Sequence, residues 1–139
     1  MKKYKIGYTT GVFDMFHIGH MNILKRAKEQ CEYLIVGVST DELVQYYKRK
    51  TPIIPFAERW AIVEAIKYVD KVIPQTSMDK FSAVTQINAD AVFVGSDWKG
   101  TEKWKEYEKQ FSSENCDVVY LAYTDGVSST ILREKIAEK

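Results

Sequence analysis

Cysteine is scarce. The 139 residues hold two, Cys31 and Cys116, and neither sits in a CxxC pair or a Cys/His cluster. That excludes a disulfide scaffold and a structural zinc site, and it fits a reducing compartment. Excess charge of either sign is lacking as well: twenty Lys and Arg face nineteen Asp and Glu, for a formal charge of +1. No global field draws such a chain to nucleic acid, so any anion must be held by local design. Apolar runs such as residues 33–38 fall far short of the roughly 20 residues a membrane span needs. Met1-Lys2-Lys3 leads directly into strand-like residues, not into the apolar core of a signal peptide. Repeats, low-complexity tracts and linker-like Pro/Gly/Ser stretches are missing too. With 45% hydrophobic and 28% charged residues, the expectation is one globular domain over residues 1–139, located in the cytoplasm.

What is present is alternation. Residues 6–9, 33–39, 71–73, 91–95 and 118–122 are short runs rich in Val, Ile and Tyr, and they read as five strands. Helix-period segments lie between and after them, at 21–30, 41–47, 56–68, 79–87, 102–111 and 129–137. Phe56, Trp60, Val63 and Ile66 recur at helical spacing behind Pro55, which the first turn of a helix tolerates. The pattern predicts an α/β domain: a doubly wound, five-stranded parallel sheet between helices, Rossmann-like and three-layered. Such sheets bind ligands beyond the carboxyl ends of their strands, where the strand order reverses.

After the first strand comes Thr10-Gly11-Val12-Phe13-Asp14-Met15-Phe16-His17-Ile18-Gly19-His20, followed at once by a helix. A helix N-terminus offers N–H groups and about half a positive charge, and two imidazoles added there suit phosphate oxygens. Gly19 lets the backbone approach a ligand closely. The bare spacing leaves a phosphate site, a metal site and a pair of packed histidines all open.

The segment Gly11-Val12-Phe13-Asp14 with His17-Ile18-Gly19-His20 resembles the signature of the HxGH nucleotidyltransferase superfamily. More narrowly it resembles the cytidylyltransferases, the group acting on glycerol 3-phosphate and on choline and ethanolamine phosphates. Ser39-Thr40-Asp41-Glu42, Lys67-Tyr68-Val69-Asp70-Lys71-Val72, Gly95-Ser96-Asp97-Trp98 and Gly126-Val127-Ser128-Ser129-Thr130 extend the likeness over nearly the whole chain. The resemblance implies transfer of a cytidylyl group from CTP to a small phosphorylated alcohol, glycerol 3-phosphate first, with release of pyrophosphate.

By the same resemblance, His17, His20 and Lys50 would be catalytic. Thr10, Gly11, Val12, Phe13, Gly19, Asp97, Trp98, Ser128, Ser129, Thr130 and Arg133 would join them in holding the nucleotide. Asp14, Lys48 and Arg59 would serve the acceptor, with Asp14 alternatively orienting the loop and Arg59 anchoring it. Each has a bland counterpart: a solvated basic turn at Lys48–Lys50, buried packing for Trp98, and helix capping by Ser128 and Ser129. The cations at 48–50 repel one another without an anion, so their loop is expected to face solvent or move until phosphates bind. Mg²⁺ is expected to arrive on the nucleotide, since the chain has no dedicated metal cage. A homodimer is implied, with residues 67–72 near the twofold axis.

Three departures bear on substrate. Tyr123-Thr124-Asp125 stands where the family has Arg-Thr, Ser96 replaces an Asp, and Ser129-Thr130-Ile131-Leu132-Arg133 resembles the ending of adenylyltransferases. Adenylyl transfer from ATP to a sugar phosphate, and a nucleotide-binding regulator without turnover, are the alternative readings.

Overall fold

The computed structural model describes residues 2–122. The expected final helix, and with it Ser128, Ser129, Thr130, Arg133 and Tyr123, lies outside the described residues. Within them the chain runs β1 (Tyr4–Gly11), α1 (Ile18–Gln30), β2 (Cys31–Ser39), α2 (Asp41–Lys48), α3 (Phe56–Glu64), β3 (Lys71–Gln75), α4 (Lys80–Ile87), β4 (Ala91–Gly95) and β5 (Asp117–Leu121). A 3-10 turn at Ser96–Trp98 and α5 (Glu102–Ser112) lie between β4 and β5. All five strands pair in parallel, in the order β3-β2-β1-β4-β5. The chain walks outward from β1 to β3, then returns across β1 to build β4 and β5. The order therefore reverses between β1 and β4, and the crevice beyond their carboxyl ends is where a ligand fits.

Each face of the sheet carries its own core. On one side Leu24 and Ala27 of α1 and Val63 of α3 pack on Leu34, Val36, Val38, Ala91 and Phe93. On the other, Val84 of α4 and Trp104, Tyr107 and Phe111 of α5 cover Tyr8, Ile35 and Val92. β2 and β4 contribute to both cores, which is why residues 34–38 of β2 and 91–94 of β4 are apolar on both faces rather than alternating.

Two aspartates start new strands in the same way. Asp70 donates its N–H to Leu34 O and accepts the Leu34 N–H on its carboxylate (3.0 and 2.7 Å). Asp90 does the same with Ile6 (2.8 and 2.9 Å). Helix α3 gives out at Glu64, not at residue 68 as its periodicity predicts. The chain must turn to reach Asp70, and it does so through Ile66 N–H to Val63 O and Val69 N–H to Ile66 O. Tertiary demand overrides helical spacing here.

The layers meet closely at Gly7 in mid β1. A Cβ there would lie 2.5 Å from Phe93 Cε2 and 2.8 Å from Cys31 Sγ. Gly7→Ala is predicted to lower stability by about 1–3 kcal/mol through overpacking, read as a lower denaturation midpoint. An unchanged midpoint would mean that Phe93 and Cys31 shift freely.

Candidate active site

β1 ends at Gly11, and the six residues before α1 form a strained loop. Phe13 and Met15 adopt left-handed backbone conformations (φ 56° and 51°), each costing a non-glycine residue roughly 1–2 kcal/mol. Compensation comes from packing. Phe13 is buried, and its ring meets Phe16 (6.3 Å between centroids) and His20 (5.5 Å). Gly11 makes room, since a Cβ there would lie 3.0 Å from the Phe13 ring.

Hydrogen bonds complete the hold. The buried Asp14 carboxylate accepts the N–H groups of Ile53 and Ile54, each at 2.8 Å. The fully buried Arg59 gathers the surrounding chain. It donates to Val12 O (2.8 Å), Ser39 O (2.7 Å) and Ile54 O (2.8 Å), and forms an ion pair with Asp41 at 2.6 Å. Asp41 Oδ2 in turn accepts the N–H of Phe56, where α3 begins. In this arrangement Arg59 is an anchor, and its donors face protein oxygens rather than the crevice. That corrects the acceptor-contact reading of Arg59 and keeps the anchoring one. Asp14 likewise orients the loop.

His17 and His20 cap α1 in an unusual way. The Gly19 N–H donates to His17 Nδ1 (3.0 Å), and the His17 N–H donates to His20 Nδ1 (3.2 Å). The rings stack, with centroids 3.9 Å apart. The imidazoles thus occupy N–H groups that the sequence reading offered to phosphate. Their own chemistry replaces what they take. Burial first, then the neighbouring His17, pushes His20 down to about 4, against an opposing pull from Asp14. Burial also lowers His17. Both rings are therefore neutral near pH 7, and with Nδ1 accepting, each carries its proton on Nε2. The His17 Nε2 is buried and has no hydrogen-bond partner among the described residues. An unsatisfied buried donor costs about 1–3 kcal/mol, which an incoming oxygen relieves.

The remaining candidates surround this pair. Thr10 is the penultimate residue of β1, and its Oγ1 accepts from Lys80 Nζ at 2.6 Å. Lys80, the first residue of α4, drew no notice in the sequence, because no motif marks it. Asp97 and Trp98 lie on the turn after β4; Trp98 is 44% exposed, so it is not buried packing. Lys48 ends α2, and residues 48–51 are exposed, in line with the expectation of a solvent-facing basic loop. No group of three or more His, Cys, Asp or Glu that could hold a metal occurs among the described residues.

Comparison with known proteins decides the family. Residues 8–135 match the family model described as cytidylyltransferase-like. The chain belongs to the cytidylyltransferase-like family. The expected nucleotidyltransferase class stands with it. The chain is 38% identical over 130 residues to the glycerol-3-phosphate cytidylyltransferase of Bacillus subtilis, covering 93% of this chain and 95% of the relative. The Staphylococcus aureus protein of the same name is 36% identical over 132 residues, covering 94% of each chain. FAD synthase of Archaeoglobus fulgidus is 35% identical over 133 residues, covering 94% of this chain and 96% of the relative. Among solved structures, the lipopolysaccharide core biosynthesis protein of Thermoplasma volcanium superposes with TM-score 0.72 at 27% identity. That match covers 87% of this chain and 97% of the other. The doubly wound, Rossmann-like expectation is borne out. Among the described residues, no helix is long and apolar enough to cross a membrane.

Two outcomes are expected of this cytidylyltransferase-like site. Arg59→Met leaves Asp41 and three carbonyls without their partner and should cost about 3–5 kcal/mol in chemical denaturation. A cost below about 1 kcal/mol would remove Arg59 from its anchoring role. The second outcome concerns pH. His20 titrates lower in the folded state than its ordinary 6.5, so the unfolded chain binds its proton first. The stability His20 supports is whole above pH 6.5 and is lost as pH falls toward about 4. Subtracting the pH–stability curve of His20→Gln from that of the wild type should isolate this slope, and a flat difference would contradict it.

Proposed function

We propose that the protein transfers a cytidylyl group from CTP to the phosphate of a small phosphorylated alcohol, glycerol 3-phosphate first, with release of pyrophosphate. The observation that carries this reading is the buried Nε2 donor of His17 at the mouth of the β1–β4 crevice, stacked on a second neutral imidazole. A phosphate oxygen of the acceptor attacks the α-phosphorus, the bond from that phosphorus to the bridging oxygen breaks, and pyrophosphate leaves opposite. No protein nucleophile takes part. The chain's contribution is orientation and donors that strengthen as charge moves onto the leaving group.

In this reading His17 and His20 donate from Nε2 to the α- and β-phosphate oxygens. A neutral donor suits that task, because it needs no proton exchange and the fixed rings need no reorganisation. Gly11, Val12, Phe13 and Gly19 place backbone beside the phosphates. Thr10, Asp97 and Trp98 line the nucleoside side of the crevice. Lys48 and Lys50 approach the phosphates from their exposed loop, with Asp14 and Arg59 limiting movement to the stretch before Ile53. Ser128, Ser129, Thr130 and Arg133 complete the triphosphate site. The described residues build no cage for a resident metal; magnesium enters as part of the nucleotide substrate. A homodimer about residues 67–72 belongs to the same proposal, and sedimentation at micromolar concentration tests it.

A second reading has its own support. Relatives named FAD synthase match this chain at 35% identity over comparable lengths, and residues 129–133 end in the adenylyltransferase manner. Adenylyl transfer from ATP onto an acceptor phosphate is therefore the alternative. The deciding experiment measures pyrophosphate release with CTP or ATP against glycerol 3-phosphate, other alcohol phosphates and flavin mononucleotide. Turnover with CTP and glycerol 3-phosphate supports the first reading; turnover confined to ATP overturns it.

His17→Ala and His20→Ala should each lower kcat by on the order of 10²–10³, the typical loss when one donor to a developing anion is removed. CTP affinity, titrated without acceptor, should change far less. A variant with near-normal kcat loses its assigned role.

A further inference from the structure

Tyr8 brings a polar group into an apolar layer and leaves it unused. The residue is 1% exposed and packs beneath α4 and α5 with Ile35, Val84 and Val92. Burial alone pushes its hydroxyl up to about 12, and among the described residues no group hydrogen-bonds it. Its oxygen is not sealed off, because the one enclosed and unpartnered side-chain atom among those residues is His17 Nε2. A protonated phenol can both donate and accept, and here it does neither. Buried polar groups are normally paired, so this exception calls for a partner.

A glycine brings that oxygen toward the carboxyl end of the sheet. A Cβ on Gly37 would lie 2.6 Å from Tyr8 Oη and 3.1 Å from Thr10 Cγ2. Any other residue there would push the ring back, so Gly37 is what lets the hydroxyl reach from β1 across β2. Parallel pairing sets Thr10 opposite Gly37, and Ser39 opposite Gln75. Strand alternation then puts the side chains of Tyr8, Thr10, Ser39 and Gln75 on one face. Thr10 Oγ1 is engaged by Lys80 Nζ, and Ser39 Oγ donates to Gln75 Oε1 at 2.8 Å. The Gln75 amide, itself buried, keeps its N–H groups as donors.

Position says which part of a substrate meets these groups. β1 lies between β2 and β4 in the sheet. The function proposed above puts the nucleoside beyond β4, at Asp97 and Trp98. Tyr8 Oη reaches the other way, over β2, the strand that leads into α2 and the loop of Lys48 and Lys50. The acceptor is left to occupy that side. Tyr8, Ser39 and Gln75 are uncharged, which suits neutral hydroxyls; an ammonium would lose its hydration there without a counter-charge. We propose that Tyr8 determines acceptor specificity, its hydroxyl binding a free hydroxyl of the acceptor alcohol, so that the site selects polyol phosphates over amino-alcohol phosphates. The proposal deepens the function given above and rests on it for the side the acceptor takes.

Tyr8→Phe keeps the ring and removes the oxygen. Its kcat/KM for glycerol 3-phosphate should fall about three- to tenfold, the loss of one neutral hydrogen bond, carried by KM. Of the two deoxy analogues, 3-hydroxypropyl and 2-hydroxypropyl phosphate, the one lacking the bound hydroxyl should be used equally by both proteins. CTP affinity titrated without acceptor should move less than about twofold. The thermal midpoint of the free protein should not fall, because the fold loses no hydrogen bond. Equal losses on glycerol 3-phosphate and both analogues would mean a structural role and overturn the proposal. So would a wild type that uses ethanolamine phosphate as well as glycerol 3-phosphate.

An arm without turnover separates this proposal from the reaction itself. Each acceptor's effect on the thermal midpoint reads binding alone. Glycerol 3-phosphate should raise the wild-type midpoint more than ethanolamine phosphate or the deoxy analogue, and Tyr8→Phe should lose its preference over the analogue. If that holds while CTP releases no pyrophosphate, the reaction falls and the specificity proposal stands. If glycerol 3-phosphate turns over with CTP but both proteins discriminate alike, the proposal falls and the reaction stands. Glycerol 3-phosphate that neither binds nor turns over would remove both.

Discussion

One buried guanidinium ties the site together. Arg59 reaches the carbonyls of Val12, Ser39 and Ile54 and the carboxylate of Asp41, four points on four different segments. Val12 opens the strained loop, Ser39 ends β2, Asp41 opens α2, and Ile54 leads into α3. Asp14 answers from the loop itself by accepting the N–H groups of Ile53 and Ile54. Together the two side chains hold residues 53–54 by donor and acceptor alike. Burying a charge is costly unless its hydrogen-bonding capacity is met. Here it is met by the ends of the elements that shape the crevice, so loss of the guanidinium would disturb all of them at once.

The histidine pair shows how that rigidity becomes chemistry. Phe13 and Met15 would not hold left-handed conformations in a free loop. Pinned from below by Arg59 and Asp14 and packed through the Phe13 ring, they bring His17 and His20 into a stack in which each Nδ1 is already engaged. The proton on each Nε2 then follows from hydrogen bonding, and neutrality follows from burial. A charged pair in the same geometry would repel itself, whereas two neutral donors share the space, as their proposed contact with phosphate oxygens requires.

The sheet was legible in the sequence because strands buried on both faces must be apolar throughout, and helices between them must show a 3.6-residue period. The site was legible at His17, Gly19 and His20 for a different reason: short-range motifs lie together in the chain whatever the fold does. At Arg59 the sequence left acceptor contact and anchoring both open, since its four acceptors lie between 5 and 47 residues away. The left-handed Phe13 and Met15 were not legible, since pattern reading expects glycine or asparagine there. The placement of Lys80 stayed hidden because its partner, Thr10, lies 70 residues away in the chain. The end of α3 was misjudged because periodicity continues past the point where the chain must turn toward β3.

The proposed reaction is a direct displacement in which the histidines hold the leaving pyrophosphate. The stereochemical course at the α-phosphorus tests it most directly. A single diastereomer of the α-thio nucleoside triphosphate that supports turnover would be converted with the acceptor, and the configuration of the product read by phosphorus NMR. One displacement with no protein nucleophile predicts inversion. Retention would require a covalent nucleotidyl-enzyme and would contradict the roles assigned to His17 and His20.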